Sequence, residues 1–109
     1  RLYESTGQRQ LVLETYMTAI AMTNDKAPYY SMRGHYHERQ GEFSQAAFDF
    51  SHAILIKPDD HRYLTARGRV LLAHNKLDEA IADFDRVFKL TIINPEVSAL
   101  RGEAHYWKK

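Results

Sequence analysis

Three arginine–glycine pairs, Arg33-Gly34, Arg67-Gly68 and Arg101-Gly102, recur at an interval of 34 residues. A period of that size marks stacked repeats, because each unit is too small to bury its own apolar face and must share a core with its neighbours. Other residues keep the same register. Ala46, Phe50 and Ala53 follow Gly34 by 12, 16 and 19 residues, and Ala80, Phe84 and Val87 follow Gly68 by the same offsets. Tyr30 and Leu64 stand four residues before their glycines, with Ser98 as a weak third counterpart. Pro58 closes the first full unit; the second has Ile92 at that place and defers its proline to Pro95. A stacked array of this kind presents a surface and does not enclose a reaction centre.

On these residues the chain resembles the tetratricopeptide repeat family, whose pattern is a large apolar residue, Leu-Gly, Tyr, then Ala-x-x-x-Phe and Pro. Tyr30, Gly34, Ala46, Phe50, Ala53 and Pro58 carry the resemblance over residues 27–60, and Leu64, Gly68, Leu71, Ala80 and Phe84 over 61–94. The departures are Arg-Gly in place of Leu-Gly, and His37 and His105 in place of Tyr. The resemblance implies an all-α, right-handed α-solenoid of antiparallel helix pairs. Its register divides the chain into the second half of a unit (1–26), two full units (27–60 and 61–94) and the first helix of a further unit (95–109). In the N-terminal half-unit Gly7 falls at the turn place of Gly41, with Val12, Tyr16 and Ala19 at the places of Ala46, Phe50 and Ala53. With Arg1 at its start, the chain reads as a piece of a longer array of an arginine–glycine subtype.

Apolar periodicity predicts helices over 8–22, 28–40, 44–56, 61–73, 78–90 and 95–107. Ser44 and Asp78 are expected N-caps, since a short side-chain oxygen can accept from an early free backbone N–H. Pro28 and Pro95 suit a first helical turn, where no intrahelical donor is lost. Gly34 and Gly68 are expected where one helix closely approaches its pair partner. Arg33, Arg67 and Arg101 are expected to lay their stems over the helix pair and reach a carboxylate. Asp49 and Asp83, also 34 residues apart, are the expected acceptors: Asp49 for Arg33, and the aspartate of the same or preceding unit for Arg67 and Arg101.

Composition limits the functional classes. The formal net charge of +1 gives no bulk attraction to nucleic acid or to an anionic membrane. No apolar run approaches the roughly 20 residues of a membrane-spanning helix. The chain has no cysteine, which excludes thiol chemistry and suits an intracellular, cytoplasmic location. The pair His35-x-His37 places two imidazoles about 200° apart around a helix, which does not suit a shared metal. No His-Glu-x-x-His, phosphate-loop or Gly-x-Ser-x-Gly motif is present. The expectation is a protein that is not an enzyme and needs no cofactor or metal.

The resemblance implies a concave groove lined by the first helix of each unit, and a protein or peptide partner. Its inward places fall on Ser31, His35, Glu38 and Arg39, then on Arg62, Thr65, Arg69 and Leu72, then on Glu96, Ala99, Glu103 and Tyr106. The centre is basic, and the C-terminal side acidic and aromatic. This suits an extended acidic peptide, unless Glu38 and Glu103 neutralise the arginines. The family's carboxylate clamp for heat-shock chaperone tails needs Lys and Asn, then Asn, then Lys and Arg. Those places hold Ser31, His35, Ala66, Glu96 and Leu100, so such a tail is not the expected partner. Single-stranded RNA is a weaker reading, resting on tyrosines near arginines. A third is an architectural spacer that uses its convex face or ends. Leu100, Ala104 and Trp107 are expected to lack a covering helix, leaving that end to neighbouring repeats of a parent chain or to self-association.

Overall fold

A computed structural model describes residues 6–91 and 94–109, so Ile92, expected to close the second unit, lies outside the described residues. The described residues form six helices: α1 (Thr6–Met22), α2 (Ala27–Arg39), α3 (Phe43–Ile56), α4 (His61–Ala73), α5 (Leu77–Leu90) and α6 (Pro95–Lys108). They are paired antiparallel helices in a repeat of the tetratricopeptide kind. The most extensive packing is α2 on α3 and α4 on α5, while α3 with α4 and α5 with α6 join the pairs. The molecule measures 42 × 32 × 19 Å.

The two full pairs are built around one contact each. Phe50 on α3 and Phe84 on α5 are completely buried. A Cβ added to Gly34 would sit 2.9 Å from Cε1 of Phe50, and one on Gly68 would approach Phe84 more closely still. The absence of a side chain at these two places lets the Cδ1–Cε1–Cζ edge of each ring approach the facing backbone. Gly102 on α6 has open space around its Cα hydrogens, so the third member of the series carries no such contact. Alanines complete the spacing: Ala46, Ala53 and Ala80 are fully buried, with Val87 at the fourth equivalent place.

Both first helices end in the same way. Gly41 (φ +76) and Asn75 (φ 61) occupy the left-handed region. Gly41 N–H donates to the Glu38 carbonyl and Glu42 N–H to that of His37; Asn75 and Lys76 donate correspondingly to Leu72 and Leu71. Glycine takes this conformation without cost, and asparagine is among the few other residues that visit it readily. Gly7, expected at an equivalent turn, instead lies in the first turn of α1.

Two cap expectations are corrected. Helices α3 and α5 begin one residue earlier than read from the sequence, so Glu42 and Lys76 stand at the cap places without a side-chain bond, and Ser44 and Asp78 lie inside the first turn. The side chains that do cap are Asp60, accepting from Arg62 N–H, and Asn94, accepting from Val97 N–H. Pro28 and Pro95 occupy first-turn places.

The uncovered face expected on α6 is also corrected. Val97 and Ala104 are fully buried, and Leu100 packs against the cluster of Leu64, Leu71, Phe84 and Val87. The stripe at 97, 100 and 104 turns inward because α6 itself covers α5 and touches α4. Of the three residues expected to lie bare, Trp107, 63% exposed, does so. At the other end α1 buries no residue fully, and Val12, Tyr16 and Ala19 are half-buried.

Replacing Gly68 with Ala, and less severely Gly34, is expected to cost about 1–3 kcal/mol through displacement of the facing ring. Gly102→Ala is expected to stabilise by about 0.5–1 kcal/mol, because it adds helix propensity in open space. Urea unfolding monitored by circular dichroism checks all three; equal effects at the three glycines would refute the contact.

Candidate functional site

The residue before each repeat glycine points one way and the residue after it points another. On the first side, Arg33 binds Asp49 through two hydrogen bonds of 2.9 and 2.8 Å, and Arg67 binds Asp83 through two of 2.8 and 2.7 Å. Arg67 also donates to Ser51 Oγ, and Arg86 to Asp83. Both aspartates are buried. Arg101 departs from the expected pairing and binds Asp85 at 2.9 Å while lying 4.3 Å over the Phe88 ring. The clasps of Arg33 and Arg67 run 16 residues forward, a place that for Arg101 would be 117, outside the 109-residue sequence; Asp83 already accepts from Arg67 and Arg86, and Asp85 is exposed.

On the second side, Arg69 of α4 lies between α2 and α6. Its Nε and one terminal nitrogen meet the two oxygens of Glu38 at 2.7 and 3.0 Å, and its other terminal nitrogen is 3.8 Å from Glu96. His35 Nδ1 is 3.3 Å from Glu38, and its ring meets the Phe50 ring edge-on at 4.9 Å. A chain of charged groups therefore spans three first helices. Burial alone would push the Glu38 carboxyl up, but hydrogen bonds from His35 and Arg69, with the arginine's charge, pull it down to about 2. The same carboxylate raises Arg69 through the hydrogen bond between them.

The remaining residues expected to line the groove divide. Arg62 is exposed and folds back on the cap residue Asp60, with bonds of 3.0 and 2.6 Å. Thr65 is buried, and its hydroxyl donates to the His61 carbonyl. Ser31 is half-buried, and Arg39 is exposed with no carboxylate partner among the described residues. Glu103 is exposed and leaves the arginines alone; the second neutralising carboxylate is Glu96. Tyr106 is exposed, with Lys109 Nζ 4.6 Å from its ring and Trp107 edge-on at 5.0 Å. The reading of inward places omitted Trp107, although Arg39, Ala73 and Trp107 share the 34-residue register that could have flagged it.

Among the described residues no cluster of three histidine or acidic groups is arranged to hold a metal ion, and no helix is long and apolar enough to cross a membrane.

Residues 27–60 match the tetratricopeptide repeat family model. No curated protein matches the chain in sequence. Among solved structures, the fold is similar to the first tetratricopeptide repeat of Spaghetti (RPAP3) bound to the HSP90 peptide SRMEEVD, with TM-score 0.82 and 21% identity over 92% of this chain and 79% of that one. It is similar to the second such domain of human RPAP3 in complex with the HSP70 peptide SGPTIEEVD, with TM-score 0.81 and 23% identity over 91% and 82%. The Arabidopsis OM64 domain follows at TM-score 0.77 and 25% identity over 84% and 75%. The architecture is thus that of the tetratricopeptide repeat.

These structures overturn the expectation that set heat-shock chaperone tails aside as partners, since two domains of this fold hold such peptides. Matching residue types at five places tests a single arrangement of donors. It does not register exposed cations elsewhere on the first helices, such as Arg39 and Arg62.

The depressed Glu38 carboxyl sets a pH dependence. A folded-state value below the unfolded one stabilises the fold above about pH 4.5, and that contribution is lost as pH falls toward 2. Glu38→Gln is expected to lower stability at pH 7 and to flatten the loss between pH 4.5 and 2, measured by urea unfolding at stepped pH. A variant curve parallel to the native one would refute the role of Glu38.

Proposed function

We propose that the chain is a non-catalytic interaction scaffold whose concave face, formed by α2, α4 and α6, holds an extended peptide. One observation carries this reading: three first helices bring charged side chains into one line, Glu38–Arg69–Glu96, bordered by the exposed arginines Arg39 and Arg62. The peptide-bound domains of the same fold support it. The groove residues are Ser31, His35, Glu38, Arg39, Arg62, Arg69, Glu103 and Tyr106, with Thr65 supporting the wall from below.

The partner class is a peptide rich in carboxylates, of the kind that SRMEEVD and SGPTIEEVD represent. An arginine fork matches a carboxylate in shape and charge. Arg39 is uncommitted, and Arg62 can exchange Asp60 for a peptide carboxylate at little cost, because an exposed ion pair contributes little. Arg69 is more shielded and holds Glu38 in two bonds, so it orders the groove floor. The arginine–glycine feature defines a repeat subtype in which the arginine clasps an aspartate 16 residues on. Lack of cysteine suits work in the reducing cytoplasm.

Anisotropy titrations with dye-labelled SRMEEVD and SGPTIEEVD test the proposal. Saturable binding is expected, weakened about tenfold by Arg39→Ala/Arg62→Ala with unaltered melting. Absence of binding, or binding indifferent to the double variant, would sink the groove reading. An architectural role on the second-helix face is the second reading, favoured by Phe48 at 59% and Leu55 at 80% exposure. It gains if neither peptide binds.

A further inference from the structure

At the α6 end of the concave face, a cavity of about 380 Å³ opens between the C-terminal parts of α4 and α6. Leu72, Leu77 and Leu100 line its apolar part, and Trp107 stands in its wall with 63% of its surface exposed. The charged residues of its lining are Arg69 and Glu103. They differ in availability. Arg69 is held by both oxygens of Glu38, with Glu96 nearby. Glu103 has no cationic partner among the described residues, although two cations are carried on the same helix and a third directly follows it. Lys108 is paired with Asp78 at 2.7 Å, Lys109 lies over the Tyr106 ring, and Arg101 is paired with Asp85.

An aliphatic surface, an exposed indole and an unpaired carboxylate match a single kind of side chain: a long apolar stem ending in a cation. The stem covers the leucines, and the head meets both the indole face and the carboxylate. A neutral apolar side chain would cover the leucines but leave Glu103 unmatched, and an acidic one would meet it with like charge. We infer that this cavity is a subsite for a lysine or arginine side chain of the bound peptide. The inference rests on the groove reading above and adds a polarity to it: carboxylates toward Arg39 and Arg62, a basic residue toward α6. Arginine is the better fit, because its planar fork can stack on the indole while hydrogen-bonding a carboxylate.

Trp107 is the single tryptophan of the chain, so intrinsic fluorescence reports on this cavity directly. The protein is titrated with acetyl-Leu-Arg-amide and, as control, acetyl-Leu-Gln-amide, neither of which carries a carboxylate. A saturable change with the arginine peptide alone is expected, weakened about three- to fivefold by Glu103→Gln, a substitution at an exposed site. Equal responses to the two peptides, or an affinity indifferent to Glu103→Gln, would overturn the subsite. Labelled SRMEEVD, followed by anisotropy, separates the two readings. Binding of SRMEEVD with no arginine-specific response would keep the groove and remove the subsite. An arginine-specific response without SRMEEVD binding would keep the subsite and remove the acidic-peptide reading.

Discussion

The close approach of a bare backbone to a phenylalanine ring, Gly34 to Phe50 and Gly68 to Phe84, sets the geometry of the two central helix pairs. The arginine–aspartate clasps depend on it. Arg33 precedes Gly34 and Asp49 precedes Phe50, so both contacts span the same 16 residues and lie one residue apart on the same crossing. Pushing the helices apart by the width of a methyl group would strain both. Removing one partner of a buried ion pair leaves a charge without compensation, which costs more than the intact pair contributes to net stability.

The same crossing orients the functional face. With the preceding arginine turned to the second helix, the residues after the glycines, His35, Arg69 and Glu103, lie on the first-helix side that we propose as the groove. One glycine per unit thus separates a structural charge from a presented one. Because successive units repeat the arrangement, side chains from α2, α4 and α6 come into line, and Glu38 and Glu96 can flank Arg69 although they lie on different helices. The proposed groove is thereby partly self-neutralised, an arrangement suited to selection by pattern of charge more than by net charge, in keeping with a formal charge of only +1.

The features that repeat were readable from the sequence, and those that depend on local competition were not. Six helices, the buried glycines and the pairing of Arg33 and Arg67 follow from a 34-residue period, since a residue conserved in register has the same surroundings each time. Arg101 has no equivalent surroundings, because the place 16 residues on would be 117, outside the 109-residue sequence, and it binds exposed Asp85 instead. Arg62 stands at a groove place, yet the cap residue two positions earlier holds its guanidinium. Trp107 is absent from the expected groove places because α6 reads from the sequence as a helix awaiting cover, whereas Leu100 and Ala104 are packed on the core and Trp107 stays exposed. The exclusion of chaperone tails failed for a related reason: residue types at fixed places do not say where neighbouring side chains can reach.

The two full units differ at one place that matters for how the ends behave. Three residues after its glycine, the second unit has Leu71 within the apolar cluster, while the first has His37. His37 is equally buried but sits between carboxylates, 2.8 Å from Glu42 and 3.8 Å from Asp49. Arg9 of α1 joins the same group through Glu42 at 2.7 Å. Directional polar contacts therefore hold the α1 end, with a tilted contact of Tyr16 and Tyr36 and no fully buried residue on α1. The α6 end is held by Val97, Leu100 and Ala104 packed on the core. Opening is easiest where few apolar groups are buried, so α1 is the element with the lowest cost of local release. In the proposed groove of α2, α4 and α6, the firm α6 end is thus the one suited to fixing a residue of a peptide, while the release of α1 would be felt at α2, on which it packs.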